Sequence, residues 1–383
     1  MKISSPTFPR KTTKVTKANP FEDEPALTGS RLVTLRHLEG LTQTDLASQL
    51  GVSQGFLSQA EKGVKPLPVD VAHAAASRYD LPIEFFSVRQ DVSELGAATF
   101  RKSSTASVRD ENLVVASFTE AARLFRLASQ RSGYKPADFD GALSDDVEET
   151  AANVRSMLGV GSTEAVANAT RAAERLGVGV IHGLVPLEEH SGMHDGVSRP
   201  SPLADRPLIA TVGLQPPAVT RLTLMHELGH ILYDRHRTTP IRGTRSPEER
   251  RAFQFGGAML VPASVMRERV TETLTLHGYL RVKADYGISV SALIVRACAL
   301  GIISAQRKRS LFIQLSSQGW RRTEPVPVAA ETPLLIRQAT ERGLGSDVHA
   351  VARVTGIRYR QIEQWTGLRA TERRLAPVVA LKS

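Results

Sequence analysis

The chain has 383 residues, with 49 Lys and Arg against 39 Asp and Glu, a formal charge of +10. That length suits two or three domains, and 41% hydrophobic with 23% charged residues is ordinary globular usage, which excludes wholesale disorder. One cysteine excludes an intramolecular disulfide and favours a reducing, cytoplasmic setting; no run of 18 apolar residues predicts a membrane span. Residues 1–28 are expected to form a flexible basic tail, rich in Lys, Arg, Ser, Thr and Pro and without the apolar core of a signal peptide. The positive excess favours a polyanionic partner, double-stranded DNA above all.

Residues 29–87 read as compact helices punctuated by Gly40, Gly51, Gly63 and Pro66. Within them LTQTDLASQLGVSQGFLSQAEKG has the spacing of a helix-turn-helix. Thr42 and Ser53 are N-caps, Ala47 is small where two helices cross, and Gly51 suits a left-handed turn. Leu46, Leu50, Val52, Leu57 and Ala60 supply the buried face. The outward set is Gln54, Gly55, Ser58, Gln59 and Lys62, suited to base edges and phosphates, and Gln43 joins it as a DNA contact.

These residues resemble the phage-repressor-like (XRE type) DNA-binding domain, from GSRLVTLRHLEGLTQ to DLPIEFF. Ala60 and the Gly55-Phe56 pair depart from that pattern. Readers of this kind usually act as dimers, which implies a homodimer.

Residues 88–162 are expected to be a helical connector, polar over 88–112 and then an amphipathic helix near 113–130. From 163 the pattern mixes helix and strand. STEAVANATRAAERLG predicts a helix ended by Gly177, and VGVIHG predicts a strand. A second strand, PLIATVG at 207–213, is expected to be a sheet edge able to take a substrate strand. Helices follow from about 217, over 247–260, and through most of 263–318. Cys298 is expected to be a buried helix position. The Pro-rich 323–333 marks a boundary before a small basic helical region, 323–383, whose DVHAVARVTGIRYRQIEQWTGL predicts two short helices around Gly356. The predicted fold is mainly α with a small β-sheet, an α+β arrangement with an all-α N-terminal domain.

His226-Glu227-Leu228-Gly229-His230 is an HExxH motif. On a helix, positions i and i+4 share a face, so both imidazoles converge on one ion with Glu227 beside them as general base. Random order predicts about 0.01 such motifs in a chain of this make-up. Zinc requires a third protein ligand. His236 offers one spacing, although Tyr233 stands where a turn-forming Gly is expected. Glu249 on the next helix offers another, with Glu248 its neighbour. No oxyanion-stabilising residue is assignable among Tyr233, Tyr279, Tyr286, His190 and His194.

TRLTLMHELGH, the Glu249-x-x-Ala252 spacing and FGGAMLVP resemble the ImmA/IrrE metallopeptidase family. The resemblance covers roughly 163–322. It implies a zincin-like domain with Zn2+ on His226, His230 and Glu249, and Glu227 as general base. It further implies a regulator that binds DNA and cleaves a peptide bond in a protein substrate, a repressor by preference. The alternative is a transcription factor whose peptidase-like domain is a non-catalytic sensor or dimerisation body.

Overall fold

The computed structural model describes residues 27–89, 99–100, 107–186, 196–237, 246–321 and 323–370. The expected tail over 1–26 lies outside the described residues, as do His190 and His194. Leu27 and Thr28 fall inside the packed structure instead, where the Thr28 N–H donates to the Phe86 carbonyl at 2.7 Å and Leu27 packs on the first core.

That core belongs to α1 (Ser30–Glu39), α2 (Gln43–Gln49), α3 (Gln54–Glu61), α4 (Val69–Arg78) and a short 3-10 turn over Ile83–Ser87. Thr42 and Asp45 form a capping box on α2, and the Ser53 hydroxyl accepts from the Phe56 N–H at 3.2 Å on α3. Leu32, Leu35, Leu46, Leu57, Phe85 and Phe86 fill the interior. Ala60 is fully buried at the end of α3, close to the start of α1. A Cβ on Gly29 would stand 2.2 Å from the Ala60 carbonyl oxygen, so α1 begins directly against the end of α3.

The connector holds one long helix, α5 (Val108–Ser132), and a shorter one, α6 (Val147–Met157). Helix α5 buries Phe118, Ala121, Leu124 and Phe125 against the sheet and carries Glu120 toward α1. Glu120 accepts from Arg31 at 2.8 Å and also pairs with Arg123, whose guanidinium reaches the Thr355 carbonyl. Glu120 is 1% exposed, and Arg31 and Arg123 are each 8% exposed.

The helix expected from about 163 is confined to α7 (Ala169–Arg175), because Asn168 takes the N-cap and accepts from the Arg171 N–H at 2.7 Å. Four strands follow or flank it: β1 (Thr99–Phe100), β2 (Gly179–Ile181), β3 (Gly196–Ser198) and β4 (Leu208–Thr211). Their order is β1-β3-β4-β2, with β2 parallel to β4 and the other pairs antiparallel. The strand expected at the edge over 207–213 is therefore interior. Its hydrogen-bonding groups are taken by β2 and β3, so no substrate strand can add to it. The outer side of β3 is itself paired, Thr99 with Ser198 and Phe100 with Val197.

Helices α8 (Pro217–Tyr233) and α9 (Pro247–Leu260) pack closely, because Gly229 and Gly256 sit where a Cβ would meet the facing backbone at 3.1 and 3.0 Å. Helices α10 (Ala263–Arg269), α11 (Leu276–Tyr286), α12 (Val290–Ala299) and α13 (Ala305–Ser317) complete this body. The Pro-rich stretch after it is fastened at both ends. Glu324 accepts from the Val290 N–H at the start of α12 and from Lys283, while Glu331 accepts from the Ala169 and Thr170 N–H groups opening α7. In return Glu174 of α7 accepts from Leu334 and Leu335, both at 2.7 Å, at the start of α14 (Leu335–Gly343). Each carboxylate satisfies backbone donors that a helix N-terminus leaves without an intrahelical partner. Helices α15 (Val348–Thr355) and α16 (Tyr359–Thr366) then pack with α5 and the sheet, and the Trp365 indole donates to the Leu184 carbonyl at 2.9 Å.

Candidate metal centre and DNA interface

Helix α8 is apolar on nearly every side, with Leu224, Met225, Leu228, Ile231 and Leu232 buried, so its polar motif is carried into the interior. His226 and His230, four residues apart, face each other with their Nε2 atoms 3.1 Å apart. Ser246 caps α9, and Glu249 in its first turn points at α8. One Glu249 oxygen lies 3.4 Å from His226 Nε2 and the other 3.5 Å from His230 Nε2. The three side chains are buried and form a group able to hold a metal ion. A tetrahedral ion with bonds of about 2.0–2.1 Å sets its ligand atoms about 3.4 Å apart. The carboxylate turns one oxygen to each imidazole at close to that spacing, and two imidazoles with one carboxylate suit zinc.

The sequence alternatives do not reach this point. His236 is exposed beyond the end of α8, and Glu248 faces away, paired with Arg237 at 2.7 Å. Tyr279 is fully buried in the core, and the Tyr286 hydroxyl donates to the Thr163 carbonyl. Cys298 is half-buried rather than buried, because it lines the cleft that opens beside the metal group.

Two residues that motif reading missed complete the centre. Asp234, one turn after His230, accepts from its Nδ1–H at 2.7 Å and also from Arg251 at 2.6 Å. This fixes the ring and leaves Nε2 for a ligand role. The i+4 step from His230 was the available signal. Ser198 of β3 donates through its hydroxyl to Glu227 Oε2 at 2.6 Å, with both side chains buried. Glu227 also touches the strand backbone, since a Cβ on Gly196 would lie 3.0 Å from its Cγ. Strand alternation places Ser198 and Gly196 on one face, but pairing that face with α8 was not readable locally.

Burial pushes the Glu227 carboxyl up, against the pull of His230, His226 and the Ser198 hydroxyl. Burial also opposes charge on Glu249, yet hydrogen bonds from the two imidazoles bring it down to about 2. His230 is likewise opposed by burial, but Asp234 and Glu249 raise it to about 10. The carboxylates of Asp234 and Glu249 thus stabilise positive charge at the histidines, a proton on His230 or a cation in its place.

On the other unit, α3 presents Gln54, Gly55 and Gln59, with Lys62 at its C-cap, all exposed, and Ser58 half-buried between them. Gln43 stands beside this face, half-buried. Its amide donates to Glu61 at 2.6 Å, and its Oε1 accepts from Gln54 at 2.7 Å. Gln43 therefore orients Gln54, while Glu61 is held by Arg36. Phe56 packs on the core of this unit.

Residues 173–297 match the IrrE N-terminal-like domain, a peptidase family, and residues 28–84 match a helix-turn-helix domain. Over 63 residues the chain is 38% identical to the HTH-type transcriptional regulator PrpR of Mycobacterium tuberculosis, a stretch that covers 16% of this chain and 13% of that protein. No solved structure matches the chain.

Proposed function

We propose that this chain, a helix-turn-helix DNA-binding regulator fused to an IrrE-like peptidase domain, hydrolyses a peptide bond in a partner protein, a repressor by preference. Residues 29–87 are the DNA-binding unit in this reading and 163–322 the peptidase unit. The helical connector is 88–162 and the small basic helical region 323–383, whose described helices brace the two. Gln43, Gln54, Gly55, Ser58, Gln59 and Lys62 meet DNA, with Gln43 also orienting Gln54, and the protein works as a homodimer. Its setting is the cytoplasm; among the described residues no helix is long and apolar enough to cross a membrane.

His226, His230 and Glu249 are the zinc ligands in this proposal. Zinc bound there supplies Lewis acidity toward a scissile carbonyl and toward water. Glu227 takes the proton of the attacking water and passes it to the departing amide nitrogen. Burial strengthens Glu227 as a proton acceptor, and the Ser198 hydroxyl holds its carboxylate in one orientation. Asp234 keeps the His230 ring in place.

The observation that carries the reading is the Ser198–Glu227 hydrogen bond. A purely structural metal site has no need of a buried, oriented carboxylate next to its ligands. The test is Glu227→Gln in the full chain, with zinc content measured alongside hydrolysis of candidate repressors. Zinc is expected to stay and hydrolysis to fall by about 100-fold or more. Unchanged hydrolysis would refute the assignment and favour the non-catalytic sensor.

A further inference from the structure

The metal group opens into a cleft of about 620 Å³ between α8 and α9 on one side and α12 and α13 on the other. This is the size of a ligand site rather than of a packing defect. It is also the side on which a substrate has room, because the outer side of β3 is already paired with β1.

The walls of the cleft differ in character. Leu222, Phe253, Val295 and Phe312 form an apolar lining, each only partly buried. Two cations stand among them. Lys308 lies one turn before Phe312 on α13, on the same face of that helix, and Arg250 follows the ligand Glu249 on α9. Among the described residues neither side chain has a hydrogen-bond or ion-pair partner. Three other cations of the same body are matched: Arg251 with Asp234, Arg296 with Glu148 and Lys283 with Glu324. Among the described residues, the only carboxylates lining the cleft are Glu227 and Glu249, both committed to the metal centre. Beyond that centre the cleft therefore offers apolar surface and uncompensated positive charge.

We infer that the cleft selects a peptide segment that places a large apolar side chain near the metal centre and an acidic side chain beyond it, read by Lys308 and Arg250. The inference rests on the peptidase reading and names the substrate class for that site. The apolar side chain fills the space lined by Leu222, Phe253, Val295 and Phe312. The acidic side chain lies in a partly desolvated wall, where an opposite charge is attracted and a basic side chain meets two like charges. Acid–base complementarity thus acts as a filter on sequence, while the apolar contacts provide most of the binding.

The experiment uses the full-length, zinc-loaded chain carrying Glu227→Gln, so that binding is read without turnover. Rhodamine-labelled octapeptides share a central Leu-Leu and carry Asp, Asn or Lys at one flanking position at a time. Fluorescence anisotropy is expected to show Asp binding about five- to tenfold tighter than Asn at one position or two adjacent ones, with Lys weaker than Asn. Adding Lys308→Glu is expected to invert that order, and Lys308→Met to equalise Asp and Asn. Arg250→Glu is expected to reduce the preference.

Indifference to the flanking charge would overturn the inference. So would a preference that survives both the Lys308→Glu and Arg250→Glu changes, or failure of every peptide to bind. Hydrolysis of an unfolded protein by the unmodified chain separates the two readings. Zinc-dependent hydrolysis without acidic preference sinks the cleft inference alone; acidic preference without any hydrolysis sinks the peptidase reading alone.

Discussion

Replacing Glu120 with Gln is expected to loosen the DNA-binding unit from the rest of the chain. The substitution keeps the side-chain volume and removes the one negative charge between Arg31 and Arg123. Burial works against the Glu120 carboxylate, yet the two guanidiniums hold its pKa at about 2 rather than 4.5. A difference of roughly 2.5 units at about 1.4 kcal/mol each gives about 3 kcal/mol. This agrees with the 3–5 kcal/mol expected when one member of a buried ionic group is removed and charges stay behind.

The sign of the pH dependence follows from the same shift. Because the folded-state pKa is depressed, the contribution is complete above pH 4.5 and is lost as the pH falls from there toward about 2. Urea midpoints of the parent and of Glu120→Gln, measured from pH 7 down to pH 3, are therefore expected to draw together, with roughly half the gap or less left at pH 3. Limited proteolysis at pH 7 is expected to free the first 89 residues faster in the variant. Equal midpoints at pH 7, or a gap that stays constant down to pH 3, would refute the electrostatic account.

Asp234→Asn is expected to weaken zinc binding by about 10- to 100-fold in competition with a chromophoric chelator, since the ring of His230 loses its anionic support. Metal analysis of His226→Ala and Glu249→Ala is expected to show zinc lost, whereas His236→Ala keeps it; loss on the His236 change alone would overturn the ligand set. On the DNA side, Gln59→Ala is expected to cost about 1–3 kcal/mol on a specific site and to leave the salt dependence alone. Lys62→Ala is expected to weaken binding to all duplexes and to lower the salt slope by about one, as read by fluorescence titration at several salt concentrations.

The parts of this molecule legible in its sequence are those with a short period. Thr42 and Ser53 cap helices through hydrogen bonds three residues away, and the motif histidines meet across a single turn. Features built by distant segments were not legible. Arg31 finds Glu120 across 89 residues, Arg221 finds Glu331 across 110, and Ser198 finds Glu227 across 29. Nothing in the local pattern of charges distinguishes these from solvated surface groups. The expected edge at 207–213 failed for a related reason: alternation and propensity identify a strand, but its neighbours are chosen by the whole sheet. Gln43 shows the same limit at the scale of one side chain: its bond to the buried Glu61 could be recognised only once α3 was folded against α2.

The carboxylate clips between α7 and the stretch leading into α14 bear on how this chain comes off the ribosome. Arg221 is buried in the same helix as the HExxH motif, and its carboxylate partner, Glu331, is synthesised 110 residues later. Until then, a nascent chain that already contains both motif histidines and Glu249 must keep a buried guanidinium without its counter-charge. The two helix N-termini that Glu331 and Glu174 close also stay open. Completion of the body that carries the candidate metal group is thereby tied to emergence of the C-terminal helices, so metal capture is expected to fall late in synthesis, after the DNA-binding unit has had time to form.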